Sequence, residues 1–166
     1  MLMGIIKKYR VLLVITLIVV IGVTAIFFLF NRFYQNDVKA LTDFPAAYEK
    51  FDQTMADFSA AVFASNLAGA PAVDDLERKA DAALVDLDAK ASVRISSLIK
   101  NDAELMRSMP EIAALSGQEL DALKAYKSAS TGKNGDLDQL AKALADLRSQ
   151  RQTAYARFQE LAGPID

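Results

Sequence analysis

The chain has 166 residues, 52% of them hydrophobic and 24% charged, with 19 basic and 21 acidic side chains and no Cys, His or Trp. That length holds about one domain. The missing residue types exclude disulfides, thiolate nucleophiles, imidazole acid–base catalysis and the common zinc sites, leaving oxygen ligands for metals and carboxylate, Lys, Tyr or Ser chemistry for catalysis.

In chain order, residues 1–10 form a short basic segment containing Lys7, Lys8 and Arg10. Val11 to Phe30 then reads VLLVITLIVVIGVTAIFFLF, twenty residues without a charge. At about 1.5 Å per residue such a helix spans the ~30 Å hydrocarbon core of a bilayer. Being apolar on every face, it is expected in lipid rather than in a core that the remaining residues could hardly supply. The transmembrane helix is placed at 11–33, acting as a signal anchor, with Phe27, Phe28, Phe30, Phe33 and Tyr34 at the far interface. Lys7, Lys8 and Arg10 precede it, whereas only Arg32 and Lys39 follow closely, with Asp37 between them. This bias predicts a cytoplasmic N-terminus in the cell (inner) membrane and a periplasmic or otherwise extracytoplasmic domain over 34–166. The competing reading is a signal peptide cleaved after Val23-Thr24-Ala25, which would leave an apolar mature N-terminus. Lipidation at a cysteine is excluded.

After Phe30 the chain carries a net charge of −5, which argues against nucleic acid as a partner. Its charges are mixed along the segment, as on the solvated faces of packed helices. Turn formers fall at Pro45, Gly69 with Pro71, Pro110, Gly117, Gly132 with Gly135, and Gly163 with Pro164, and no run of alternating β-branched residues lies between them. The pattern predicts helices.

Leu41, Phe44, Tyr48, Phe51, Met55, Phe58 and Val62 recur at steps of three and four, predicting a helix from about Asp43 to Ser65, either separate from the span or continuous with it. From Val73 to Met109 a second stripe fits one long helix or two, with breaks suggested at Asn101-Asp102 and at Pro110. Ser116-Gly-Gln-Glu119 has the spacing of a capping box and predicts a helix from Gly117 to about Ser130. Asp136 with Gln139 offers a second cap. The helix that follows carries Leu137, Leu140, Leu144, Leu147, Arg151, Ala154, Phe158 and Leu161, the 3.5-residue period of a coiled-coil or bundle seam. The expected fold is therefore all-α: a single N-terminal transmembrane helix followed by an antiparallel bundle of about four helices.

Arg151 stands where the seam calls for an apolar residue. Either its stem packs while the guanidinium reaches the surface or an acidic neighbour on another helix, or it marks an anion or partner site. The stripe containing Phe44, Tyr48, Phe51 and Phe58 either fills the core or contacts a partner or apolar ligand. Asp74-Asp75-x-Glu77 suits a helix start, and Asp86 and Asp88 fall on nearly opposite faces of one helix. Asn134 to Asp138 lacks the glycine and glutamate positions of a calcium loop, and no phosphate loop or nucleophile motif occurs. No catalytic, metal-binding or cofactor-binding residue is assigned, and no cofactor is expected. One anchor and an outer helical bundle resemble, in layout alone, LemA-like membrane proteins and chemoreceptor sensor domains, a resemblance that brings no functional residue to this chain.

The sequence thus predicts a non-catalytic, membrane-anchored scaffold or interaction protein, such as an accessory subunit of a cell-envelope complex. Its expected partners are the lipid bilayer and either other proteins or further copies of itself. The alternative is an extracytoplasmic sensor bundle for a small amphipathic or anionic molecule. A carboxylate hydrolase is a third, requiring two acids from different helices to converge in a cleft.

Overall fold

The computed structural model describes residues 2–64, 71–96, 99–132 and 136–163, with side chains from residue 14 onward except at position 71. It is helical, with four helices and no strand among the described residues: α1 (Leu2–Ala64), α2 (Pro71–Ala91), α3 (Asp102–Gly132) and α4 (Leu137–Ala162). The chain divides into two compact units, Met1–Asn36 and Asp37–Asp166, and α1 contributes to both.

In the first unit every described side chain from Val14 to Asn36 is exposed, with Phe27 at 74%. The helix is long and apolar enough to cross a membrane. Thr24 returns its hydroxyl hydrogen bond to the Val20 carbonyl at 2.8 Å, so the polar atom is satisfied within the helix. The core helix of a water-soluble domain would bury such a surface. Lys7, Lys8 and Arg10 lie on α1, but their side chains are outside the described residues.

The second unit is built on the stripes. Leu41, Phe44, Tyr48, Phe51, Met55, Phe58 and Val62 are all buried, as are Val73, Ala80, Ala83 and Leu87 of α2 and Leu105, Met109, Ile112, Leu120 and Leu123 of α3. Burying a large apolar side chain contributes about 1.5–3 kcal/mol, so these stripes, rather than helix propensity, hold the unit together. Contacts between neighbouring helices run in opposite directions. Lys90 meets Asp43 while Lys50 meets Asp86 between α1 and α2. Lys127 meets Asp74 and Glu77 while Lys124 meets Asp81 between α2 and α3. Phe44 meets Phe158, Tyr48 meets Tyr155 and Asp52 meets Arg151 between α1 and α4.

The structure decides two boundaries that the sequence leaves open and corrects a third. The helix carrying Phe44 does not begin near Asp43; α1 runs through Pro45 without ending. The long second stripe divides at residues 92–101, so the break falls at Asn101 and not at Pro110, which lies inside α3. Asn101 has φ of 63°, the left-handed conformation that Asn tolerates better than most residues. Its carbonyl accepts from Glu104 and Leu105 to start α3.

The correction concerns the expected cap at Ser116, which is interior to α3. The Ser116 hydroxyl donates back to the Ile112 carbonyl at 2.8 Å, and the Glu119 side chain is spent elsewhere. Asp136 does cap α4, accepting from the Gln139 N–H at 3.1 Å, and Gly163, with φ of 65°, closes it. Gly69, Leu98, Asn134, Gly135 and Pro164 lie outside the described residues.

Candidate functional site

The densest polar constellation surrounds Arg151, whose side chain is 1% exposed. Its position follows from the seam: Leu144, Arg151 and Phe158 are spaced at seven residues, and all three are buried. The Arg151 Nε donates to Glu119 Oε2 at 2.6 Å, and Nη2 donates to Asp52 Oδ1 at 2.6 Å. Glu119 comes from α3 and is fully buried; Asp52 comes from α1 and is 47% exposed. Arg148, one turn earlier on α4, donates from Nε to the second oxygen, Glu119 Oε1, at 3.0 Å, and reaches Ser59 of α1 at 3.4 Å. One carboxylate thus holds two guanidinium groups while Arg151 joins three helices.

The apolar stripe completes the enclosure. The guanidinium carbon of Arg151 lies 5.1 Å from the centre of the Tyr48 ring and 5.5 Å from that of Phe51, within cation–π range. Arg151 Nη1 is buried without a hydrogen-bond partner, so the ring faces are its remaining favourable contact. Tyr48 stacks on Tyr155 with centroids 3.6 Å apart, and Phe44 meets Phe158 edge-on at 5.0 Å.

Burial opposes the charge on Arg151, but Glu119 and Asp52 outweigh it and hold the guanidinium protonated above its ordinary range. Burial pushes the Tyr48 phenol up to about 12 despite the opposing pull of Arg151. The same cause raises Tyr155, reinforced by Glu49 and Asp52. Each phenol therefore stays neutral, and each charge near Arg151 stays paired. This arrangement fastens α1, α3 and α4 to one another.

Phe44, Tyr48, Phe51, Phe58 and Arg151 are brought together, all of them in the core. Asp52, Glu119 and Arg148 were not singled out from the sequence. Glu119 was assigned to a cap, yet it follows Met109, Ile112 and Ser116 at helical spacing and so occupies a core position, as Arg151 does on α4. Two opposite charges at core positions of two helices were the available signal. Asp52 and Glu119 are two acids from different helices, but they converge on one guanidinium rather than in an open cleft.

Elsewhere, the acidic cluster does lie at a helix start, with Asp74 in the first turn of α2, and Asp74 and Glu77 both also receive Lys127 of α3. Burial lowers the Lys127 pKa, and the hydrogen bonds it donates to the two carboxylates more than reverse that effect. Asp86 receives Lys50 at 3.5 Å, and Arg94 is exposed. An open groove of about 600 Å³ between α3 and α4 is lined by Glu104, Arg107, Glu111, Gln118, Thr153 and Arg157, among others. Its charges are of both signs. Among the described residues no group of three or more acidic side chains is placed to hold a metal ion.

No family model, curated protein or solved structure matches this chain.

Proposed function

We propose that the protein is a single-span membrane protein of the cell envelope, with α1 as its anchor and an antiparallel helical bundle outside the cytoplasm acting as a non-catalytic interaction module. The observation that carries the reading is the contrast along α1. Its apolar side chains from Val14 to Phe33 are exposed on every face, whereas the stripe from Leu41 to Val62 is used up within the chain's own core. Lys7, Lys8 and Arg10 support a cytoplasmic N-terminus through the positive-inside bias.

The sensor alternative has less support, because the residues expected to line a ligand site are packed against one another and Arg151 is paired with Asp52 and Glu119. The bundle's remaining means of action are its exposed surfaces. The test is crosslinking of the full-length protein in native membranes, followed by gentle solubilisation and mass spectrometry. A defined protein partner or a defined homo-oligomer is expected. Recovery of the uncrosslinked monomer alone, in membranes where a known complex crosslinks efficiently, would remove the basis for an interaction module.

A further inference from the structure

The connection between α2 and α3 differs from the rest of the acidic second unit. From Ala89 to Asn101 it contains Lys90, Arg94 and Lys100 and no acid, although Asp88 and Asp102 flank it. Lys90 is paired with Asp43. Arg94 and Lys100 are exposed and have no carboxylate partner among the described residues, and the apolar Val93 beside them is 41% exposed. Ile95 is buried and fixes the loop to the core.

The loop is also tied to one point on α1. The Asp37 carboxylate is buried and accepts the Ser96 N–H at 3.0 Å together with the Ser96 hydroxyl. Asp37 is four residues beyond Phe33, the last residue of the expected span. A chain extends by at most about 3.6 Å per residue, so this clasp lies within roughly 14 Å of the end of the span for any tilt of the bundle. Lys39 on α1 is exposed nearby in sequence and likewise lacks a carboxylate partner among the described residues.

We propose that Val93, Arg94 and Lys100 form a membrane-surface contact, in which Arg94 and Lys100 meet the headgroups of anionic lipids and Val93 enters the interfacial region. The proposal rests on α1 being the membrane anchor. The occupant is a lipid surface because a short chain tether holds the loop beside one, the unpaired charges are positive in an acidic unit, and the exposed apolar residue lies among them. Long basic side chains with an adjacent apolar residue suit that boundary. Held in this way, the loop would limit the tilt of the bundle on its anchor.

Because the chain lacks tryptophan, single reporters can be introduced cleanly. Full-length Val93→Trp, Phe28→Trp and Phe63→Trp would be reconstituted into vesicles of phosphatidylcholine, with and without phosphatidylglycerol, containing brominated acyl chains as quenchers. Phe28→Trp in the span should be quenched in both vesicles, and Phe63→Trp, near the far end of α1, in neither. Val93→Trp should be blue-shifted and quenched in the anionic vesicles. Adding Arg94→Gln and Lys100→Gln should abolish this, since each basic residue at an anionic surface favours contact by about fivefold. If Val93→Trp behaves like Phe63→Trp while Phe28→Trp is quenched, the surface contact is refuted and the anchor stands. Quenching of Val93→Trp that ignores phosphatidylglycerol or the two Gln substitutions refutes the headgroup role. An unquenched Phe28→Trp refutes the anchor and the contact together.

Discussion

Glu119 and Arg151 are charges removed almost entirely from water, and neither could stay there alone. Deleting one partner of a buried pair leaves the other uncompensated and typically costs about 3–5 kcal/mol, whereas an exposed pair contributes about 0–1 kcal/mol. Glu119→Ala is therefore expected to destabilise by about 3 kcal/mol, because it leaves buried Arg151 with only the half-exposed Asp52 and frees Arg148. Asp52→Ala, at a half-exposed site, should cost about 1 kcal/mol. Urea unfolding of the full-length protein in detergent micelles measures both, and equal losses would contradict the assigned geometry. Replacing the pair by apolar residues, Glu119→Leu with Arg151→Met, should lose less than Glu119→Ala alone. The sequence revealed Arg151 as an anomaly in a seam, but its partners lie 32 and 99 positions away in the chain, and only the packing of α1, α3 and α4 identifies them.

The pH response also belongs to individual residues. With no histidine, no side chain titrates near neutrality at its ordinary value. Tyr48 is raised from 10.0 to about 12, so the unfolded chain releases its proton first as pH rises. The resulting stabilisation is complete below pH 10 and is lost as pH rises through about 12. Raised Tyr155, Lys90 and Lys127 act in the same direction. Circular dichroism against pH should show a plateau through neutrality and alkaline unfolding, with a shallower alkaline slope for Tyr48→Phe. An unchanged slope in that variant would show that Tyr48 is not the group responsible.

At the scale of elements, the apolar stripes of α1, α2 and α4 were legible because three-and-four spacing survives in sequence whatever the partner. The break at Asn101-Asp102 was legible too, but the continuity of α3 through Pro110 and Ser116 was not. Pro110 and the Ser116–Glu119 spacing are local stop and start signals, and tertiary burial of Met109, Ile112, Glu119 and Leu120 overrides both. The true boundary lies at Asn101, where positive φ places a specific demand on the residue. Asn101→Gly should change stability by no more than about 0.5 kcal/mol, whereas Asn101→Val should cost about 1–2 kcal/mol, because a β-branched side chain meets the following carbonyl in the left-handed conformation. Thermal unfolding distinguishes these outcomes, and equal effects would mean that the backbone there adopts another conformation.

For the whole molecule, one helix has two unlike parts. Residues 14–36 of α1 offer an apolar surface that stays exposed among the described residues, and residues 41–62 supply the aromatic side of the core. Chain-wide composition hid this division, since 52% hydrophobic content averages a lipid-like segment with an acidic, water-facing bundle. The function follows from that division only if α1 is inserted with its basic end inside. A chain without cysteine permits a direct measurement: Met3→Cys and Gln152→Cys, each in the full-length protein, labelled in intact and then lysed cells with a membrane-impermeant maleimide that passes the outer permeability barrier. Gln152→Cys should react in intact cells and Met3→Cys only after lysis, with both variants remaining in the membrane fraction. The reverse labelling, or recovery of the chain in the soluble fraction, would contradict an anchored bundle outside the cytoplasm.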